Sequence, residues 1–258
     1  MTMNNTPTIP SADKPYIKEN SFNSFIRIKP RSSPEVQIQR GLNAIGSAQA
    51  VDKDPLLDQI KSCLSGNSTD FRPEELISEH NCDEMSAVSQ QNIIRYLKGR
   101  FRYSFYPKLK RLHDCPPYLQ IELSSACNYR CKFCFQTDKK LSKKSSGHIG
   151  TMNIETFKRV VDLAAGSVDF VSMASRGEPL LCKDLPEILE YMGDKFLCAK
   201  MNTNASMLTE EKCHTILSSG LHTLVFSADA SEPDLYAELR VNGSLERVYS
   251  NIRRFNDI

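Results

Sequence analysis

From residue 118 onward, short apolar runs alternate with amphipathic stretches. The runs lie at 118–123, 169–173, 198–202 and 222–227. Compact runs of this length predict strands, and apolar positions three and four apart predict helices. Asn153 is a good N-cap for the first helix. Ile154, Phe157, Val160, Val161 and Ala164 share one side of it, and Gly166 stops it. A second helix begins at Asp184, with Pro186 in its first turn and Glu187 three residues after the cap, close to a capping box. Thr209 caps a third, followed by Glu210 and Glu211, and Gly220 ends it. Ser244 opens a fourth, with Leu245, Val248 and Ile252 as apolar positions. Such alternation predicts an α/β fold built on a parallel sheet.

The first half of the chain reads differently. Leu56, Leu57, Ile60 and Cys63 mark a helix, Pro73 with Glu74 and Glu75 starts a second, and a third spans 87–97 with Ile93, Ile94 and Leu97 on one face. Residues 1–50 are rich in Pro, Ser, Asn and Thr and are expected to form a disordered leader. The expected organisation is therefore a leader at 1–50, a helical accessory region with a basic linker at 51–115, and a core at 116–258. In the stretch 95–111, seven Lys and Arg residues occur without an acid, interleaved with Tyr96, Phe101, Tyr103, Phe105 and Tyr106. Such a run reads as a solvated linker whose aromatics pack inward, with nucleic-acid binding as the rival.

Composition adds few constraints. The 258 residues are 40% hydrophobic and carry a formal net charge of +2, which favours no particular partner. No run approaches the roughly 18 apolar residues of a membrane span, and residues 1–16 lack the apolar segment of a signal peptide. Nine cysteines is an odd number, and a cytoplasmic, reduced protein is expected.

Three of those cysteines carry the chemistry. Cys127, Cys131 and Cys134 form a C-x3-C-x2-C run directly after the first strand. Three thiolates leave one iron of a 4Fe–4S cluster without a protein ligand, since full ligation takes four. A zinc knuckle is the alternative, with His148 or Cys115 as fourth ligand, although neither has the usual knuckle spacing. Cys63, Cys82, Cys115, Cys182, Cys198 and Cys213 are scattered and read as packing residues.

The run, with the aromatic Phe133 before its third cysteine, resembles the signature of the radical S-adenosylmethionine (radical SAM) superfamily. Arg176-Gly177-Glu178-Pro179 after the second strand is similar to that family's G-G-E-P motif, with Arg176 replacing the first glycine. The resemblance implies a partial parallel (β/α) barrel. It also implies a 4Fe–4S cluster on the three cysteines, with S-adenosylmethionine at the open iron. Reductive cleavage would give a 5′-deoxyadenosyl radical that abstracts hydrogen from a substrate. By the same resemblance Phe133 lies beside the adenine, and Gly177 and Glu178 hold the methionyl ammonium. Ser227 and Asp229, which follow the fourth strand, approach the cofactor's ribose or methionyl part, and the amide of Asn204, after the third strand, suits binding of cofactor or substrate. For Asn204, turn formation explains the residue equally well.

Family members have six strand–helix units, and four are seen here, so the chain is expected to be a fragment of a longer enzyme. The resemblance favours a peptide or protein substrate in a member with a cysteine-rich C-terminal extension, and implies an electron donor of flavodoxin or ferredoxin type. An RNA-modifying enzyme and a cluster-binding, non-catalytic fragment remain as alternatives.

Overall fold

The computed structural model describes residues 32–50, 53–174 and 176–258. Expectations for residues 1–31 lie outside the described residues.

The expected leader gives way to a helix at its end. Helix α1 spans Pro34–Gln49, with Ser33 as N-cap, Pro34 in the first turn and Glu35 beside it. Gln37, Gly41, Ala44 and Ile45 face inward. Tertiary contacts hold this helix despite its polar composition. Arg40 donates to the carbonyls of Met85 at 2.8 Å and Val88 at 2.6 Å, and Gly41 lets α1 approach Leu64 and Leu97.

Further helices follow as α2 (Pro55–Leu64), α3 (Pro73–Leu76), α4 (Glu79–Ala87) and α5 (Ile93–Phe105). The expected single helix at 87–97 is broken, because Val88 and Ser89 are extended. Helix α5 then runs through most of the expected basic linker. Its Ile93, Leu97, Phe101 and Phe105 recur every four residues and are buried with Tyr96. Asp169 takes Arg95, Asp54 takes Lys98 and Glu75 takes Lys108. Tyr96, Phe101, Phe105 and three of the cations are thus committed within the fold, while Tyr103 stays exposed, which removes part of the basis for a nucleic-acid surface.

The core sheet consists of β1 (Tyr118–Gln120), β2 (Phe170–Met173), β3 (Cys198–Thr203) and β4 (Thr223–Phe226), all parallel and in that order. Helices α6 (Ile154–Ala164), α7 (Leu185–Met192), α8 (Glu210–Leu217), α9 (Pro233–Leu239) and α10 (Leu245–Asp257) follow the strands. Asn153, Thr209 and Ser244 cap α6, α8 and α10 as their types predict. Asp184 does not cap α7. Its carboxylate instead accepts from Ile154 N at 3.0 Å and secures the start of α6.

Two cores result. Val171, Met173, Ala199 and Met201 pack outward against Phe157, Val161, Ile188, Leu189 and Cys213 of the helices. Phe170 and Cys198, at the strand starts, point the other way into the accessory helices, where Tyr96 meets the Phe170 ring at 5.6 Å. Gly99 makes this fit possible, because a Cβ there would come within 2.6 Å of Phe170. The accessory helices therefore cover the start of the sheet's inner face. The loops at the strands' carboxyl ends lie at the opposite end, where ligands bind in parallel α/β folds.

Candidate active site

The loop after β1 carries the three cysteines. It is tied to the segment that ends α9, by Arg130 N donating to Val241 O and Lys132 N to Leu239 O, each at 2.9 Å. Cys131 is buried, and Cys127 and Cys134 are half-buried. Cys127 Sγ accepts from Tyr129 N at 3.5 Å and from Asn204 Nδ2 at 3.9 Å. Cys131 Sγ faces Arg240 Nη1 at 4.0 Å. Burial pushes both thiols above their ordinary range, and the Arg240 charge opposes this at Cys131.

Among the described residues, no three His, Cys, Asp or Glu side chains gather around a single-ion position. The donor set instead suits a larger anionic group. Three thiols lie on one loop and could serve as its ligands, N–H groups point at one sulfur, and a buried guanidinium lies beside another.

Glu178 is almost fully buried. Oε1 accepts from Thr203 Oγ1 at 2.6 Å and Leu180 N at 3.1 Å, while Oε2 accepts from Asn204 N at 2.7 Å. Burial raises its pKa and these donors counter it. Glu178 thus braces the β2 and β3 loops. The need for glycine at 177 also comes from within the chain. A Cβ there would stand 1.8 Å from Ser124 O and 2.6 Å from Ala126 O. Glu178 N donates to Ala126 O at 2.8 Å. The motif therefore abuts the segment entering the cysteine loop.

Asn204 links the same elements. Its Nδ2 donates to Asn128 Oδ1 at 3.0 Å, and its Oδ1 accepts from Ser206 Oγ at 2.6 Å. Asn128 Nδ2 in turn donates to Ser206 Oγ at 2.8 Å. Ser227 follows β4, half-buried, with its N–H on Thr203 O at 2.8 Å. Asp229 gives Oδ2 to Arg240, which leaves Oδ1 to accept elsewhere. Phe133 is 59% exposed despite its size, with the Arg240 guanidinium 5.7 Å from its ring centre.

Three contributors were not identified from the sequence. Arg240 sits at the end of α9 and has no local motif, so only the fold brings it to Cys131. Gln136 is buried and donates to Ser125 O at 2.7 Å and Arg176 O at 2.6 Å. Glu122 follows β1 and binds Arg176 in a two-point pair of 3.0 and 2.7 Å. Arg176, where the family motif has glycine, is therefore held by an acid. Of the remaining cysteines, Cys63, Cys82, Cys182, Cys198 and Cys213 are buried as packing residues, and burial pushes the Cys63 thiol up to about 12.

Residues 121–258 match the radical SAM superfamily. A GTP 3′,8-cyclase of Desulforamulus reducens is 26% identical over 138 residues, 53% of this chain and 42% of that protein. An S-adenosylmethionine-dependent nucleotide dehydratase of Lacinutrix mariniflava is 25% identical over 200 residues, 76% of this chain and 39% of that protein. Among solved structures, Streptococcus suis SuiB bound to precursor peptide SuiA superimposes with a TM-score of 0.47 at 20% identity, covering 66% of this chain and 37% of that one. The chain thus spans less than half the length of these relatives.

Proposed function

The chain belongs to the radical SAM superfamily, and we propose that it holds a 4Fe–4S cluster on Cys127, Cys131 and Cys134 and presents S-adenosylmethionine for reductive cleavage. Members of that family use this cluster and S-adenosylmethionine. When bound, the pair supplies a 5′-deoxyadenosyl radical that takes hydrogen from an organic substrate. The electron comes from a low-potential donor of flavodoxin or ferredoxin type.

The chain's own residues orient and shield. Arg240 offsets negative charge at Cys131, and Asn204 donates toward Cys127. Exposed Phe133 offers an apolar face for the adenine. Ser227 and the free oxygen of Asp229 are the acceptors for ribose hydroxyls. Gly177 and Glu178 act as positioning residues by joining the cysteine loop to the β3 loop. The convergence of the cysteine loop, the Gly177–Glu178 turn and Asn204 on one set of hydrogen bonds carries this reading. Between a peptide or protein and a small organic molecule as substrate, the small molecule has the support of relatives named for GTP cyclisation and nucleotide dehydration.

Anoxic reconstitution with iron and sulfide, followed by assay of 5′-deoxyadenosine with a chemical reductant, tests the proposal. About four iron and four sulfide per chain, lost in Cys131→Ala, together with 5′-deoxyadenosine, is the expected result. Uptake of one zinc without sulfide would overturn it. A cluster without 5′-deoxyadenosine would identify a non-catalytic piece.

A further inference from the structure

A parallel sheet covered on both faces carries apolar residues on both. The inner face here is apolar mainly at the strand starts. Gln120 pairs with Ser172, Ser172 with Lys200 and Lys200 with Thr223, so an unbroken polar row crosses all four strands. The row below it, Tyr118, Phe170 and Cys198, packs with the accessory helices. Above it, Asn202 continues the polar face, with a buried side-chain oxygen that has no hydrogen-bond partner among the described residues. The polar row is therefore a floor, with the plugged start of the sheet beneath it and the cysteine loop beyond it.

Lys200 is the cation of this floor. It is half-buried and has no hydrogen bond or ion pair among the described residues. On the same side of the sheet, Glu122 is held by Arg176, and Glu84 accepts from Tyr96 Oη at 2.9 Å. The Lys200 stem lies along the polar row, and its ammonium is available to an anion from outside the described residues.

We propose that Lys200 determines substrate specificity by taking an anionic group, phosphate or carboxylate, of a small substrate lying on this polar row. This rests on the function proposed above and adds the substrate's chemistry. Lys200 lies four residues before Asn204, which donates toward Cys127. At about 3.3 Å per residue the separation along the strand is about 13 Å. An anion bound at Lys200 thus leaves the far end of a nucleotide-sized molecule beneath the cysteine loop. A lysine ammonium, compact and orientable, suits such a terminal anion.

Calorimetry on the reconstituted chain at low ionic strength, with inorganic pyrophosphate and succinate as separate probes, tests this. Saturable binding of at least one probe is expected. Lys200→Met should weaken it about tenfold or more, and Lys200→Arg should restore most of it. Lys158→Met, on outward helix α6, removes the same charge and should leave binding unchanged. The probe that binds separates phosphate from carboxylate chemistry. If neither probe binds, or if Lys200→Met and Lys158→Met behave alike, the inference is wrong. Wild-type 5′-deoxyadenosine formation, measured without a probe, reports separately on the proposed function. Circular dichroism of each variant identifies any that fails to fold, and Lys200→Arg then carries the comparison through its expected retention of binding.

Discussion

Arg240 Nη1 lies 4.0 Å from Cys131 Sγ, although 109 residues separate the two in sequence. The same guanidinium binds Asp229 and stands over Phe133. One buried cation thereby joins three residues that the sequence had singled out for separate reasons.

Replacing that cation should make the cluster harder to reduce. In the reconstituted chain, Arg240→Met is expected to lower the midpoint potential by on the order of 50 mV, where about 59 mV corresponds to a tenfold change for one electron. An EPR-monitored redox titration reads this directly. An unchanged potential with reduced stability would reduce Arg240 to a packing role.

Gly177 has no room for a side chain. Gly177→Ala should destabilise the core by about 3 kcal/mol, because backbone at Ser124 and Ala126 must shift. Urea denaturation measures it, and a loss below about 0.5 kcal/mol, the scale of an ordinary surface change, would contradict the close packing described here.

Arg176 and Glu122 should be energetically coupled. Both are partly exposed, so screening keeps the two-point pair to about 1 kcal/mol. A double-mutant cycle of Arg176→Gly and Glu122→Gln gives the coupling. Strict additivity would show that the pair contributes nothing.

Stability should fall in acid partly through Asp54. This residue caps α2 and pairs with Lys98, and the Lys98 contact is the largest influence lowering its pKa. A carboxylate lowered on folding stabilises fully above its unfolded value of about 3.9. That contribution disappears as pH falls through the folded value. Denaturation midpoints from pH 6 down to 2.5 should therefore decline less steeply in Asp54→Asn than in the wild type. Parallel curves would remove Asp54 from the account.

The core was legible where the signal was local. Asn153, Thr209 and Ser244 are side-chain caps in the structure because an N-cap bonds within three residues of itself. Asp184 looked the same in sequence but bonds to Ile154, thirty residues earlier. Helix α1 had its own local signal in Ser33-Pro34-Glu35, and the polar composition around it outweighed that signal. What makes the helix stable is remote, in Arg40 and the space left by Gly41.

The sequence by itself determined the alternating strands and helices, the three-thiol loop after β1 and the Gly-Glu-Pro turn after β2, because periodicity and spacing are properties of neighbours along the chain. Tertiary structure alone decided that Glu178 braces the β2 and β3 loops, that Arg240 reaches Cys131, and that Gln120, Ser172, Lys200 and Thr223 form one row. Those relations depend on strand register and loop closure over tens of residues, which bring together groups that no local pattern connects.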